Sequence, residues 1–314
     1  MAANITKMFY QGEVPWHKQG EKIDQHLTVC EAFVKAGLDF GVHTEQLQYV
    51  GGNMSGAYAV VRDDNRAELG IVTNHWKPIQ NMSIATVLQD LVGSKELTVE
   101  TAGQISGGKK VWMLCKLPGQ IAVDKDDVIN KYLAGCVGHD GTLSWHTMLT
   151  GVRIVCENTL MAALSNARRD YTVRHAANAS ARVEDVRKAL GLAHHAFETM
   201  EAQAVHLAHI PIVGSQVKLF VNELFETKKN LDPYAALPII GVKTQAMMEK
   251  VTQLFESGRG SNLKTAKGTA WGLYNSAVEF VDYYHKAHDQ ANSVLFGTGA
   301  ALKRRALSTV LSLA

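Results

Sequence analysis

The feature that most constrains this chain is a change in the period of its hydrophobic residues near Glu157. From residue 38 to residue 156 apolar and polar side chains alternate with period two, broken by glycine-rich turns. Successive side chains of a strand point to opposite faces, so this alternation builds sheet with one face buried. After Glu157 apolar residues recur at three- and four-residue steps, the spacing of a stripe along a helix. The expectation is an α+β fold, with an N-terminal antiparallel β-meander region containing short helices and then a helical half. The division falls into residues 1–156 and 157–314.

Within the first half, strands are expected at 40–50, 57–62, 69–73, 97–105, 110–117, 132–139 and 143–150. Gly51-Gly52-Asn53, Asp63-Asp64-Asn65, Gly107-Gly108 and Asp140-Gly141 supply the tight turns between them, and short links make neighbouring strands antiparallel. Helices are expected at 28–36 and 83–91, ended by Gly37 and Gly93. The acidic run Asp124 to Asp127 reads as a solvated linker. In the second half, a helix begins at 160–165 and a short strand spans 171–174. A long helix over 181–209 is stopped by Pro211. Further helices cover 214–225, 243–257, 266–288 and 300–312.

Composition narrows the function classes. Among 314 residues, 46% are apolar and 20% charged, which excludes disorder or a fibre as a global description. No run reaches the roughly 20 apolar residues of a membrane helix. The opening MAANITKMFYQGE lacks the basic-then-apolar order of a secretory signal, so a cytoplasmic protein is expected. The four cysteines, Cys30, Cys115, Cys136 and Cys156, lie in apolar runs without CxxC spacing and read as small core residues. A net charge of +2 does not by itself announce a nucleic-acid binder.

The familiar catalytic and cofactor signals do not form. There is no HExxH, and the histidines of residues 194–209 read as solvated or hydrogen-bonded residues of a long helix rather than metal ligands. No GxSxG elbow is present, and Gly103 to Lys109 fails as a phosphate loop because Lys110 stands where serine or threonine is needed. No catalytic residue, metal or cofactor is therefore assigned, and an enzyme is the less favoured class.

What stands out is cations beside flat rings. Lys109 and Lys110 precede Trp112, Lys131 precedes Tyr132, and Arg153 follows Trp145 and His146. Further basic residues gather at Arg168, Arg169 and Arg174. Single-stranded nucleic acid is bound by cations on its phosphates and by rings on which bases stack. Lys109, Lys110, Lys131, Arg153, Arg168, Arg169 and Arg174 are the candidate phosphate contacts, with Trp112 or Tyr132 as the stacking ring. Alternation with Val111, Met113 and Leu143 allows Trp112 and Trp145 to be inward core residues, and for each aromatic taken singly that placement is the favoured one.

Residues 265–287, TAKGTAWGLYNSAVEFVDYYHKA, add a more particular pattern. Trp271, Tyr274, Ala277, Val278, Val281 and Tyr284 form an apolar stripe, beside a polar row of Asn275, Glu279 and Asp282. With GVRIVCENTLMAAL (151–164), NHWKPIQN (74–81) and VPWHKQG (14–20), this resembles the phage/plasmid-like protein family, described mainly as a domain of unknown function. The resemblance runs from Tyr10 to about Lys303, and departs from the family pattern where Lys18 and Gln19 intervene before Gly20. It implies a phage or plasmid setting and a host-cell cytoplasm. The order of a meander followed by a helix also resembles the core of single-strand annealing proteins. That resemblance implies single-stranded DNA binding and annealing without ATP, in a homo-oligomeric ring or filament, while the lack of a long apolar run leads us to expect no membrane partner. The alternative is a structural or host-interaction protein whose helical half binds a protein partner through Trp271, Tyr274 and Phe280, near the basic end Lys303 to Arg305.

Overall fold

The structure is a computed structural model describing residues 5–11, 20–24, 27–92, 98–153, 158–161, 172–176, 193–225, 241–287, 293–294 and 297–313. Its first half runs β1 (Ile5–Tyr10), β2 (Glu21–Lys22), α1 (Val29–Lys35), β3 (Val42–Tyr49), β4 (Gly52–Arg62), β5 (Glu68–Thr73) and α2 (Asn81–Val92). Then come β6 (Thr98–Ile105), β7 (Lys110–Asp124), β8 (Asp127–Gly138), β9 (Trp145–Arg153), β10 (Asn158–Met161) and β11 (Thr172–Val173). The helices α3 (Ala193–Ala208), α4 (Gly214–Phe225), α5 (Val242–Ser257), α6 (Ala270–Glu279) and α7 (Thr298–Leu313) follow, and a π-helical turn, Phe280–Tyr284, extends α6. The α+β order, strands first and helices after, is the one the sequence period predicts, although β10 and β11 extend the strands beyond Glu157.

Two sheets organise the strands. The large one has the order β10-β9-β8-β7-β6-β1-β2, with β11 beside β9, and the small one is β3-β4-β5. From β6 to β10 the large sheet is an antiparallel meander, as the short turns require. Strict alternation then sorts its side chains. Val111, Met113, Cys115, Leu133, Val137 and Leu149 face the main core with Phe33 of α1 and Ile84 and Leu88 of α2. Trp112 and Cys136 point the other way and form a small cluster with Met8 and Ile105. Helix α1 starts where Thr28 and Glu31 make a reciprocal capping box, and Gly37 follows its end at φ 68°.

Several elements differ from expectation for local reasons. The acidic run is no linker: β7 and β8 continue through it as one hairpin, and Asp127 is buried. Thr265 Oγ1 donates to Asp127 Oδ2 at 2.6 Å and Trp271 Nε1 donates to the same oxygen at 3.0 Å, so the hairpin tip is anchored to the helical half. Leu160 and Met161 belong to strand β10 rather than to a helix, paired with Gly151 and Thr150. The expected helix 266–288 starts at Ala270, because Thr269 caps it by accepting from Gly272 N–H, and it leaves helical geometry at His285. Of the expected helix 181–209, only the part from Ala193 lies among the described residues. The boundary at 156/157 also lies outside them, and one hydrophobic cluster contains residues from both sides of it.

Helix α6 is buried at all ten positions. The stripe of Trp271, Tyr274 and Phe280, expected as a partner surface, is therefore interior: these rings are 2%, 2% and 3% exposed. The polar row is interior too, with Asn275, Glu279 and Asp282 all buried. Charges so placed must be matched, since desolvation costs several kcal/mol per ion. Arg259 N–H donates to Glu279 Oε2 at 2.9 Å, and Asp282 forms an ion pair with Lys303, which is wholly buried on α7. Gly272 marks how closely this helix is wrapped. A Cβ there would sit 1.9 Å from the Ala266 carbonyl oxygen.

The buried pair yields a stability prediction. Lys303→Met leaves the Asp282 carboxylate in the core without its ammonium and should cost about 3–5 kcal/mol in urea unfolding. Adding Asp282→Asn to Lys303→Met should recover much of that loss, which the same measurement reads directly.

Candidate nucleic-acid interface at one end of the large sheet

The small sheet meets the large one where β4 ends. Arg62, 7% exposed, clamps Asp64 with two parallel bonds, from Nε to Oδ1 at 2.9 Å and from Nη2 to Oδ2 at 2.7 Å. Its Nη1 donates to Gln104 Oε1 and to the Gly107 carbonyl, and its guanidinium lies 3.7 Å from the centre of the Phe40 ring. Every face of this cation is used internally. The β8–β9 turn closes the junction against β5, where a Cβ on Gly70 would come within 2.6 Å of Asp140 Cα.

Next to Arg62 lie two histidines. His139 is fully buried, its Nε2 2.8 Å from Asn81 Oδ1 while Asn81 Nδ2 donates to the Phe40 carbonyl. That orientation of Asn81 makes Nε2 the protonated nitrogen. Burial, with His175 and Arg62 nearby, pushes the His139 imidazole down to about 3. His175 follows β11, donates from Nδ1 to the Lys77 carbonyl at 2.9 Å, and stacks on Trp76 with centroids 4.3 Å apart and planes 14° apart. Burial lowers it as well, against the raising effect of the Lys77, Leu143 and Gly138 carbonyls. The loop 74–80, the start of β7, the end of β8 and β11 thus converge.

Three of the converging segments carry an exposed cation. Lys109 passes its carbonyl to His139 N–H at 2.7 Å, Lys77 is the chain neighbour of Trp76, and Arg174 is the chain neighbour of His175. Among the described residues, none of the three has a carboxylate partner, and all are exposed. The nearby acid, Asp140, is occupied: Lys110 pairs with it at 3.3 Å. Burial acts to raise the Asp140 carboxyl, but Thr142 and Lys110 together hold it below its usual range.

The structure distributes the sequence candidates unevenly. Lys109 and Arg174 reach this end exposed, and Lys110 arrives there in an ion pair. Lys131 lies elsewhere, 5.6 Å above the ring of Phe197. Trp112 is 8% exposed and Tyr132 3%, so neither ring is presented to solvent as a stacking surface. Tyr132 bonds Glu100, and burial raises both groups. The side chain of Arg153, and Arg168 and Arg169 entirely, lie outside the described residues. Trp76, Lys77 and His175 were not assigned to a site from sequence. The motif NHWKPIQN carried the signal, since it places a ring and a cation side by side in a loop. Among the described residues, no three His, Cys, Asp or Glu side chains gather as metal ligands would, and no helix is long and apolar enough to cross a membrane.

The geometry defines an α+β protein with a stacked Trp76–His175 pair at the end of an antiparallel meander, next to segments that carry exposed cations. The chain belongs to the family described as Domain of unknown function (DUF932), whose profile matches residues 68–305. That span takes in the loop 74–80, the meander and most of the helical half. Comparison with curated proteins and with solved structures finds no match.

The buried histidines set the acid limit of the fold. An unfolded imidazole titrates near 6.5, whereas His139 in the folded chain stays neutral to about 3. Below about 6.5 the unfolded state binds a proton the folded state refuses, so stability is full above that pH and falls with acidification by about 1.4 kcal/mol per pH unit. His175 acts with the same sign. Melting temperature followed from pH 7 to 4 should drop, and His139→Gln should make the drop shallower.

Proposed function

We propose that the protein binds single-stranded DNA at this end of the sheet and, as an oligomeric ring or filament, holds complementary strands for annealing without ATP. The observation that supports the reading is the convergence of Lys77, Lys109 and Arg174 around the Trp76–His175 pair, with the neighbouring carboxylate already neutralised. Free cations attract a polyanion, and paired ones do not. The resemblance to phage/plasmid-like proteins supplies the setting, and strands that precede helices resemble the order of annealing proteins, although here β10 and β11 follow the meander before the helices begin. The reading requires no catalytic step. A partner-binding role would have to use a surface other than the α6 stripe, which is interior.

Salt-titrated anisotropy with labelled single-stranded and double-stranded DNA tests it. Each neutralised phosphate contributes roughly −0.7 to the slope of log affinity against log salt for single strands. Replacing Lys77, Lys109 and Arg174 together by alanine should flatten that slope by about 2 and weaken all sequences alike. Lys109→Ala should account for nearly all of the effect of Lys109→Ala with Lys110→Ala, because Lys110 is held by Asp140. Binding that ignores salt overturns the proposal. Light scattering should report an oligomer at micromolar concentration, and a monomer with and without DNA removes the ring or filament.

A further inference from the structure

We infer that Trp76 is the residue that reads an unpaired base, by extending the Trp76–His175 stack with a third ring. The inference rests on the nucleic-acid reading above and names which side chain gives preference for single strands over duplex. Cations alone do not make that distinction, because both forms present phosphates. A base can join a ring stack only when it is free of its own neighbours.

The site is built for such a ring. Trp76 N–H donates to the Thr73 carbonyl at 3.1 Å, which fixes the turn out of β5. The next residue is tied twice to His175: Lys77 N–H donates to the His175 carbonyl at 3.2 Å, and the Lys77 carbonyl accepts from His175 Nδ1 at 2.9 Å. The imidazole lies nearly parallel to the indole, at 14° and 4.3 Å. Backbone and ring contacts together hold the indole in place before any ligand arrives, which removes an ordering cost from binding. Trp76 is also partly exposed, whereas Trp112, Trp145 and Trp271 are 8%, 1% and 2% exposed. Each ring of the pair has an exposed cation as its chain neighbour, Lys77 beside Trp76 and Arg174 beside His175. His175 is a positioning residue in this scheme. Its ring backs the indole and its Nδ1 fixes the loop.

The test uses the full chain with two probes, an oligothymidylate and an abasic oligomer of the same length, which carries the phosphates without the bases. Oligothymidylate should bind more tightly and quench tryptophan fluorescence, while the abasic oligomer should bind with the same salt slope and no quenching. Trp76→Phe keeps a ring on His175, so it should hold affinity within about threefold of the unaltered protein and abolish the quenching. Trp76→Leu should lose roughly tenfold or more for oligothymidylate and little for the abasic probe. His175→Ala should lose affinity for oligothymidylate selectively, an effect that general loosening of the fold would spread over both probes. Quenching that survives in Trp76→Phe, or unchanged oligothymidylate affinity in Trp76→Leu, overturns the inference while leaving the phosphate site intact. Absence of binding to both probes overturns the nucleic-acid reading itself and this inference with it.

Discussion

A carboxylate removed from water must be surrounded by donors, and Asp127 shows how this fold meets that requirement. Its Oδ2 accepts from Thr265 and from the indole of Trp271, residues 138 and 144 positions away along the chain. The tip of the β7–β8 hairpin and the entrance of α6 are therefore fixed by one buried acid. Removing it would leave an indole N–H and a threonine hydroxyl without their acceptor in the interior, where each unpaired group costs about 1–3 kcal/mol. This joint acts with the packing of α3 on β7 and β9 and of α6 and α7 on β10 to set the sheet against the helices.

The two halves treat charge differently. In the helical half, Glu279, Asp282 and Lys303 are buried and matched inside the molecule. At the end of the large sheet, Arg62 is equally consumed by Asp64, Gln104 and Gly107, yet it stiffens a frame from which other cations project. A rigid neutral base formed by His139, Asn81 and Phe40 lets Lys77, Lys109 and Arg174 stay solvated. Their side chains need no internal partner, because the structure beneath them is already satisfied by others.

Much of the fold was legible because period decides it. Strands β6 to β9, the turns at Gly107-Gly108 and Asp140-Gly141, and the helix at Gly214–Phe225 follow from alternation and breakers in the sequence. Asp127 was not legible, since a run of acids looks solvated until its distant donors are known. Alternation allows Trp112 to be an inward core residue, and the structure buries it on the face opposite Val111 and Met113, because alternation does not say whether the second face of a sheet is covered. Lys303 reads as part of a basic terminus and is, among the described residues of the helical half, the most deeply buried cation, because its partner Asp282 sits on the turn that extends α6. Of the candidate site, the sequence reading names Lys109 and Arg174, while Trp76 and His175 meet only because β11 returns to β9 about 100 residues after the loop that carries the tryptophan.

The buried thiols of the meander have a consequence for following the protein in time. Cys115 and Cys136 lie on opposite faces of neighbouring strands, and burial pushes the Cys115 thiol up to about 12 and the Cys136 thiol higher still. The thiolate is the reactive species and both sulfurs are buried, so an alkylating reagent reaches each only when the layer packed over its face of the sheet opens. Their labelling rates therefore clock the opening of the sheet from its two sides, against the faster reaction of the partly exposed Cys30.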